Sequence, residues 1–240
     1  MKKLTFFIAM FLLFSSELLI LSGCSKKTDD NDPVQPINEV KVTDIDGNVY
    51  HTVAIGTQVW MVENLKTTKF NDGSSIPLAT DKTAWQSLTP GYCWHENDTA
   101  AYKTTYGALY NWYAVNTGKL CPTGWHVPTD AEWTVLTTYL GGPLAAGGKM
   151  KAPGTLEDGT GLWYSPNTGA TNESGFTAVP AGGRNYDGTF GDNGFASAWW
   201  SSSEYDKFFA MYCYLYFDIS DITSDGYLKG CGRSVRCIRD

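Results

Sequence analysis

The stretch that most constrains the fold is Gly124-Trp125-His126-Val127-Pro128-Thr129-Asp130-Ala131-Glu132-Trp133. It reads as a helix entry. Thr129 can cap with its hydroxyl, Glu132 three residues on completes a capping box, and Asp130 and Glu132 suit the positive end of the helix dipole. Trp133, Leu136, Thr137 and Leu140 follow at helical spacing, and Gly141-Gly142 stops the run. A helix entered through tryptophans needs a large apolar partner. The chain is 14% aromatic with nine Trp, which gives ample material for one core. Only 18% of residues are charged and 25 are Gly, so a loop-rich β or α+β fold is expected.

The first residues carry a different pattern. Met1-Lys2-Lys3 is a positive start, and Leu4 to Leu21 is apolar apart from Ser15, Ser16 and Glu17. Leu21-Ser22-Gly23-Cys24 then closes the run, the layout of a secretory signal over residues 1–23 rather than of a membrane span. Those last four residues resemble a bacterial lipobox. The resemblance implies cleavage before Cys24, a lipid on Cys24 and a place in the bacterial cell envelope at the outer membrane. The acidic cluster just after Cys24 resembles the surface-export signals of some bacterial lipoproteins, which would expose the domain at the surface, and equally fits a solvated linker. An ordinary signal peptide with a chance cysteine is the alternative. Loss of Lys2, Lys3 and Glu17 would move the formal charge from -7 to -8. That acidic balance argues against a nucleic-acid partner, which needs a basic face. Membrane attachment would rest on the acyl chains. Residues 24–39 are polar and aperiodic and read as a tether. Residues 40–240 fit one domain.

Along that domain, Asp46-Gly47 between two alternating runs signals a hairpin, and residues 40–65 read as a three-stranded meander. Residues 66–104 look irregular. Tyr106, Leu109, Tyr110 and Tyr113 give a second amphipathic helix. After the central helix the pattern is loop until a strand at Phe176–Pro180, and the glycines of Ala181–Gly188 mark tight turns. Ala198–Ser203 reads as a buried strand, with further strands at Phe208–Tyr216 and Ser234–Ile238.

Five motifs in order carry a family resemblance. They are Asp44-Ile45-Asp46-Gly47-Asn48, Trp60-Met61-Val62-Glu63-Asn64-Leu65, Tyr106-Gly107-Ala108-Leu109-Tyr110-Asn111-Trp112, Cys121-Pro122-Thr123-Gly124-Trp125-His126-Val127-Pro128 and Ser234-Val235-Arg236-Cys237. From about Val42 to Asp240 the chain resembles the Fibrobacter succinogenes major paralogous domain of bacterial surface lipoproteins. That family is similar to the C-type lectin-like fold of the formylglycine-generating-enzyme type. The resemblance implies an α+β domain with two helices, small antiparallel sheets and long irregular loops that carry a ligand site.

The enzymes of that type hold copper through two cysteines five positions apart. Five positions after Cys213 stands Asp218, and Cys231 and Cys237 are six apart, so the pair is missing and oxidase activity is not expected. His51 lies in a strand pattern, His126 in the helix entry, and His95 reads as a solvated loop residue. No nucleophile–base arrangement stands out. Asp187, Asp192 and Asn193 could coordinate calcium, but the spacing is not that of an EF-hand; no other cofactor is implied. With Cys24 set aside, Cys93, Cys121, Cys213, Cys231 and Cys237 are an odd set. Equivalents of Cys121 and Cys237 can bridge in lectin-like folds, so the resemblance implies that disulfide. Cys213–Cys231 is a second candidate, with Cys93 left over.

Between Tyr205 and Gly232 the chain mixes Phe208, Phe209, Tyr212, Cys213, Tyr214, Tyr216, Asp218, Ile219, Asp221, Thr223, Asp225, Gly226, Tyr227 and Cys231. All are residue types reachable from an Asn codon by changing its adenines. The segment resembles the variable region of proteins diversified by a retroelement. Arg233 stands where that group usually has Phe. Tyr and Phe give contact area at small entropic cost, and Asp and Thr add polar specificity. If strand-like, Tyr212, Tyr214 and Tyr216 share one face. The expected ligand surface is therefore Phe208, Phe209, Tyr212, Tyr214, Tyr216, Asp218, Asp221, Thr223, Asp225 and Tyr227, with Trp199 and Trp200 beside it or in the core. Its partner would be a protein or glycan at a cell surface. An oxidase and a structural surface protein without a ligand are the other readings.

Overall fold

A computed structural model describes residues 41–240. The signal at residues 1–23, Cys24 and the tether at 24–39 lie outside the described residues. Among the described residues no helix is long and apolar enough to cross a membrane.

The domain is α+β. It opens with β1 (Lys41–Thr43), β2 (Val49–Ile55) and β3 (Gln58–Met61), antiparallel neighbours in sequence order. Asp44 shapes the first hairpin: its Oδ1 accepts the amides of Asp46 and Asn48, and its Oδ2 accepts the Tyr50 hydroxyl at 2.6 Å. Gly47 takes φ +83° in that turn, where a side chain would strain. There follow α1 (Lys82–Trp85), β4 (Tyr92–Cys93), α2 (Thr99–Tyr106), β5 (Leu109–Tyr110), α3 (Trp112–Val115) and β6 (Trp125–His126). The single helix expected over Tyr106–Tyr113 is thus three pieces. Gly107 breaks it at φ +77°, and a Cβ there would come within 2.8 Å of the Asn64 Cβ.

The central helix forms as its sequence predicts. In α4 (Asp130–Tyr139) the Thr129 hydroxyl accepts the Glu132 amide at 3.2 Å, and the Glu132 carboxylate accepts the Thr129 amide at 2.8 Å. The loop expected next is instead α5 (Pro143–Met150). Two interior glycines disfavour a helix by about 1 kcal/mol each, but here they allow close backbone contact. A Cβ on Gly147 would sit 2.4 Å from the Asp221 carbonyl oxygen, and one on Gly148 would sit 2.5 Å from that of Gly169.

The second sheet is built from β7 (Ala181–Arg184), β8 (Phe190–Asn193), β9 (Ala196–Glu204), β10 (Phe209–Tyr216) and β11 (Ile222–Leu228), in the order β11-β10-β9-β7-β8. The stretch expected to be only tight turns therefore holds a buried strand, β7, and the turn is confined to the residues after Arg184. Around Phe176–Pro180 only Ala178 bridges, to Lys151. The last strand, β12 (Ile238–Arg239), inserts between β3 and β6 and completes the first sheet, order β1-β2-β3-β12-β6. A disulfide joins Cys121 to Cys237, next to β12, across 116 positions. A loop of that length contributes about 4 to 5 kcal/mol in the chain-entropy picture.

The core centres on Trp60, Trp133, Phe176 and Trp199, with ring centroids 4.9 to 6.0 Å apart. Arg236 enters this cluster fully buried, its guanidinium 4.0 Å from the Phe176 ring centroid. Asn64 Oδ1 accepts from Arg236 Nη2 and from Trp199 Nε1, both at 2.8 Å, and Asn64 Nδ2 donates to the Tyr106 carbonyl. Arg236 Nη1 donates to the Phe176 carbonyl. Burial pushes the arginine's pKa down, with the Glu63 charge opposing. Asn64→Ala strips one acceptor from a buried cation and an indole together, so it should cost about 3 kcal/mol or more, read as a lower denaturation midpoint in urea.

His126 braces the helix entry from outside the core. Its Nδ1 lies 2.6 Å from Asp240 and its Nε2 2.9 Å from the capping Glu132. Desolvation lowers the imidazole's pKa, but the hydrogen bonds to Asp240 and Glu132 outweigh it and the net shift is upward. A histidine with a raised folded pKa stabilises fully below its unfolded value of about 6.5, and that stabilisation fades as pH rises through the folded value. The excess melting temperature of the wild type over His126→Gln should therefore shrink between pH 6 and pH 8.5, as followed by circular dichroism.

Candidate functional site

β10 runs between β9 and β11, so its alternation decides two faces. Cys213 and Leu215 turn inward with Trp199 and Ile222 into the core. Tyr212, Tyr214 and Tyr216 turn the other way and form a continuous row. Tyr212 and Tyr214 stack at 5.1 Å, Tyr214 and Tyr216 meet edge-on at 5.5 Å, and Tyr227 of β11 packs 4.8 Å from Tyr212. Register places Asp225 opposite Tyr212 and Thr223 opposite Tyr214 on this face. On the other side β9 offers Ala198 opposite Tyr214 and Ala196 opposite Tyr216. Small residues beside a tyrosine row leave a hollow. It is a cavity of about 60 Å³ lined by the four tyrosines, Ala196, Ala198, Gly182, Asp192 and Arg233.

The structure thus brings together six of the ten sequence-predicted site residues: Tyr212, Tyr214, Tyr216, Thr223, Asp225 and Tyr227. The other four do not join them. Phe208 is exposed in the β9–β10 connection and Phe209 is half-buried at the start of β10. Asp218 and Asp221 lie in the β10–β11 loop at the opposite end of that strand. Trp199 and Trp200 are fully buried.

Two buried lysines fix the ends of the tyrosine strand. Lys151, at the end of α5, donates to the Tyr216 and Ile219 carbonyls at 3.0 and 2.8 Å. Burial lowers its pKa to about 8 against the Asp218 charge. Gly148 of α5 also donates to the Ser220 carbonyl at 2.9 Å. At the other end Lys229 pairs with Glu204 and donates to the Asp206 carbonyl at 2.7 Å, its ammonium 4.7 Å from the Trp112 ring centroid. Both turns are held by the protein, so the aromatic row is ordered before any ligand arrives.

Elsewhere the structure corrects the sequence reading. His95 is buried, 4.9 Å from Tyr102 and 5.2 Å from Phe190, and desolvation lowers its pKa. Cys213 and Cys231 are free and do not pair, because the first lies in the Trp133–Trp199 cluster and the second in the separate one around Trp112. Asp187 bonds the amide and hydroxyl of Thr189 within its own turn, and Asn193 donates to the Pro180 carbonyl. Asp192 alone of that trio lines the cavity. Among the described residues no three His, Cys, Asp or Glu side chains converge on a point that could hold a metal ion. Arg233, Gly182, Ala196 and Ala198 went unforeseen as site residues. Only the arginine carried a signal, as a charge where an aromatic is usual.

The family model described as the Fibrobacter succinogenes major domain matches residues 53–239. The chain belongs to that family. No curated protein and no solved structure matches it.

Burial pushes the Cys93 and Cys213 thiols up to about 12 and raises that of Cys231. All three should resist alkylation at pH 8 until denaturant is added, as mass spectrometry of the labelled peptides would show.

Proposed function

We propose that this member of the Fibrobacter succinogenes major domain family is a binding module that captures a ligand at a cell surface through the tyrosine face of β10 and β11. The observation that carries this reading is an ordered row of half-exposed tyrosines, flanked by Thr223 and Asp225, on a strand pinned at both ends. Rigid aromatics with adjacent polar groups give affinity at low ordering cost. The hollow holds far less than the ~300 Å³ or more typical of a small-molecule pocket, which favours a ligand that lies across the surface.

The finer parts of the reading belong with it. The fold is of the C-type lectin-like, formylglycine-generating-enzyme type, a lipid on Cys24 tethers the domain to the outer membrane, and the partner is a protein or glycan outside the cell. The exposure of Tyr216 and Asp225 suits a segment diversified by a retroelement, whereas Cys213 and Cys231, two of the expected variable residues, are buried. An oxidase draws no support from thiols that are buried in three different core clusters.

The test is binding of the purified protein to arrayed glycans and to intact bacterial and host cells, against a Tyr214→Ala/Tyr216→Ala variant. The variant should bind at least 10-fold more weakly with its melting temperature little changed, since hot-spot aromatics typically cost 2 kcal/mol or more. No binding by the wild type, or equal binding by both, would leave a structural surface protein instead.

A further inference from the structure

Arg233 is an unusual neighbour for the tyrosine row. It is only 6% exposed, yet it lines the cavity. Its backbone is locked by paired hydrogen bonds with Tyr110, at 3.0 and 2.9 Å. Its guanidinium crosses β7 where Gly183 leaves room: a Cβ there would fall 1.9 Å from Nη1. Nη1 donates to the Gly232 carbonyl at 2.9 Å. Nε is buried with no acceptor, and no described residue accepts from Nη2. Among the described residues no carboxylate stands within ion-pair distance. The charge rests on carbonyl oxygens and on the face of Tyr227, 4.3 Å away.

Arg184 and Arg236 show what the fold does when an arginine is purely structural. Arg184 spends Nε, Nη1 and Nη2 on the carbonyls of Gly188, Ala79 and Thr80, and Arg236 spends Nη1 and Nη2 inside the core. Neither is among the cavity's lining residues. Arg236 also leaves its Nε buried without an acceptor, but of the three only Arg233 adds a second nitrogen without a described partner, Nη2, and lines the hollow. An unpaired buried cation is costly, and the cost is offset when an anion arrives.

Size and charge narrow the anion. The cavity, about 60 Å³, exceeds the ~15 Å³ one water needs but holds a functional group rather than a molecule. Asp192 lines the same hollow, and Asp225 stands on the same face. Those charges favour a monoanionic carboxylate over a doubly charged phosphate. They also call for hydroxyl donors, which Asp192, Asp225 and Thr223 can accept, while the tyrosines present flat apolar faces. A sugar ring with a carboxylate meets all three demands; an aspartyl or glutamyl side chain supplies only the first.

We propose that Arg233 is the carboxylate-binding residue of the tyrosine face, and that the face takes a carboxylated sugar of an acidic glycan. This rests on the binding function above and names its ligand class.

The wild-type protein, 15N-labelled, would be titrated with D-glucuronate, D-galacturonate and N-acetylneuraminate, beside D-glucose, D-galactose and N-acetylglutamate. The Arg233 Nε–H resonance and the tyrosine ring signals are the readouts. At least one carboxylated sugar should shift the Arg233 resonance saturably and bind 10-fold or more tighter than its neutral counterpart, with Arg184 and Arg236 unmoved. Arg233→Gln should abolish that preference; if it fails to fold, the wild-type titration still decides. Equal binding of acidic and neutral sugars would overturn the inference while leaving the binding function intact. Preference for N-acetylglutamate would overturn it in favour of a peptide carboxylate. No response at Arg233, with cell binding through Tyr214 and Tyr216 retained, would overturn it alone.

Discussion

The structure depends on one buried acceptor. Asn64 Oδ1 receives hydrogen bonds from Arg236 and Trp199 together, and Asn64 Nδ2 reaches the carbonyl that ends α2. A first-sheet neighbour, a residue beside the last strand and the inward face of the second sheet thus meet at one side chain. Phe176 and Trp199 lie over the guanidinium, Trp60 and Trp133 pack behind them, and the arginine is closed off from water. A buried cation in such a setting tolerates little variation, because each donor left without an acceptor costs more than its bond contributes when made. The disulfide beside β12 reinforces the same closure covalently.

That rigidity is what allows β10 to display aromatics on its other face. Trp199 anchors β9, β9 holds β10, and the inward residues Cys213 and Leu215 complete the core. The outward residues carry less of the fold. Lys151 and Lys229 then hold the flanking turns through backbone carbonyls rather than through variable side chains. Within the flanking turns themselves both clamps read only backbone carbonyls, which are indifferent to the residue types there. Sequence can therefore change in those turns with small structural cost.

How much of this was legible depended on whether the deciding contact was local. The capping box at Thr129 and Glu132 and the hairpin at Asp46-Gly47 involve residues within a few positions of each other, so the pattern suffices. The alternation of Tyr212, Tyr214 and Tyr216 likewise gave the shared face without knowledge of the partner strands. Helix α5 was illegible because Gly147 and Gly148 look like breakers until the close approach of Asp221 and Gly169 is known. The helix break at Gly107 has the same cause, the distant Asn64. His95 looked solvated because its covers, Tyr102 and Phe190, come from two different elements. Arg233 was visible only as an anomaly, since its open nitrogens are a property of three strands meeting.

The central claim is that the outward face of β10 and β11 displays while the inward face holds the fold. Saturation mutagenesis of residues 205–232, sorted by protease resistance of the displayed protein, tests it most directly. The account predicts that Tyr214, Tyr216, Thr223 and Asp225 accept most substitutions with resistance retained, whereas the inward Cys213, Leu215 and Ile222 accept few. If substitutions at the outward tyrosines destroyed resistance as often as those at the inward positions, the row would be core, and the account of this surface as a binding face would be wrong.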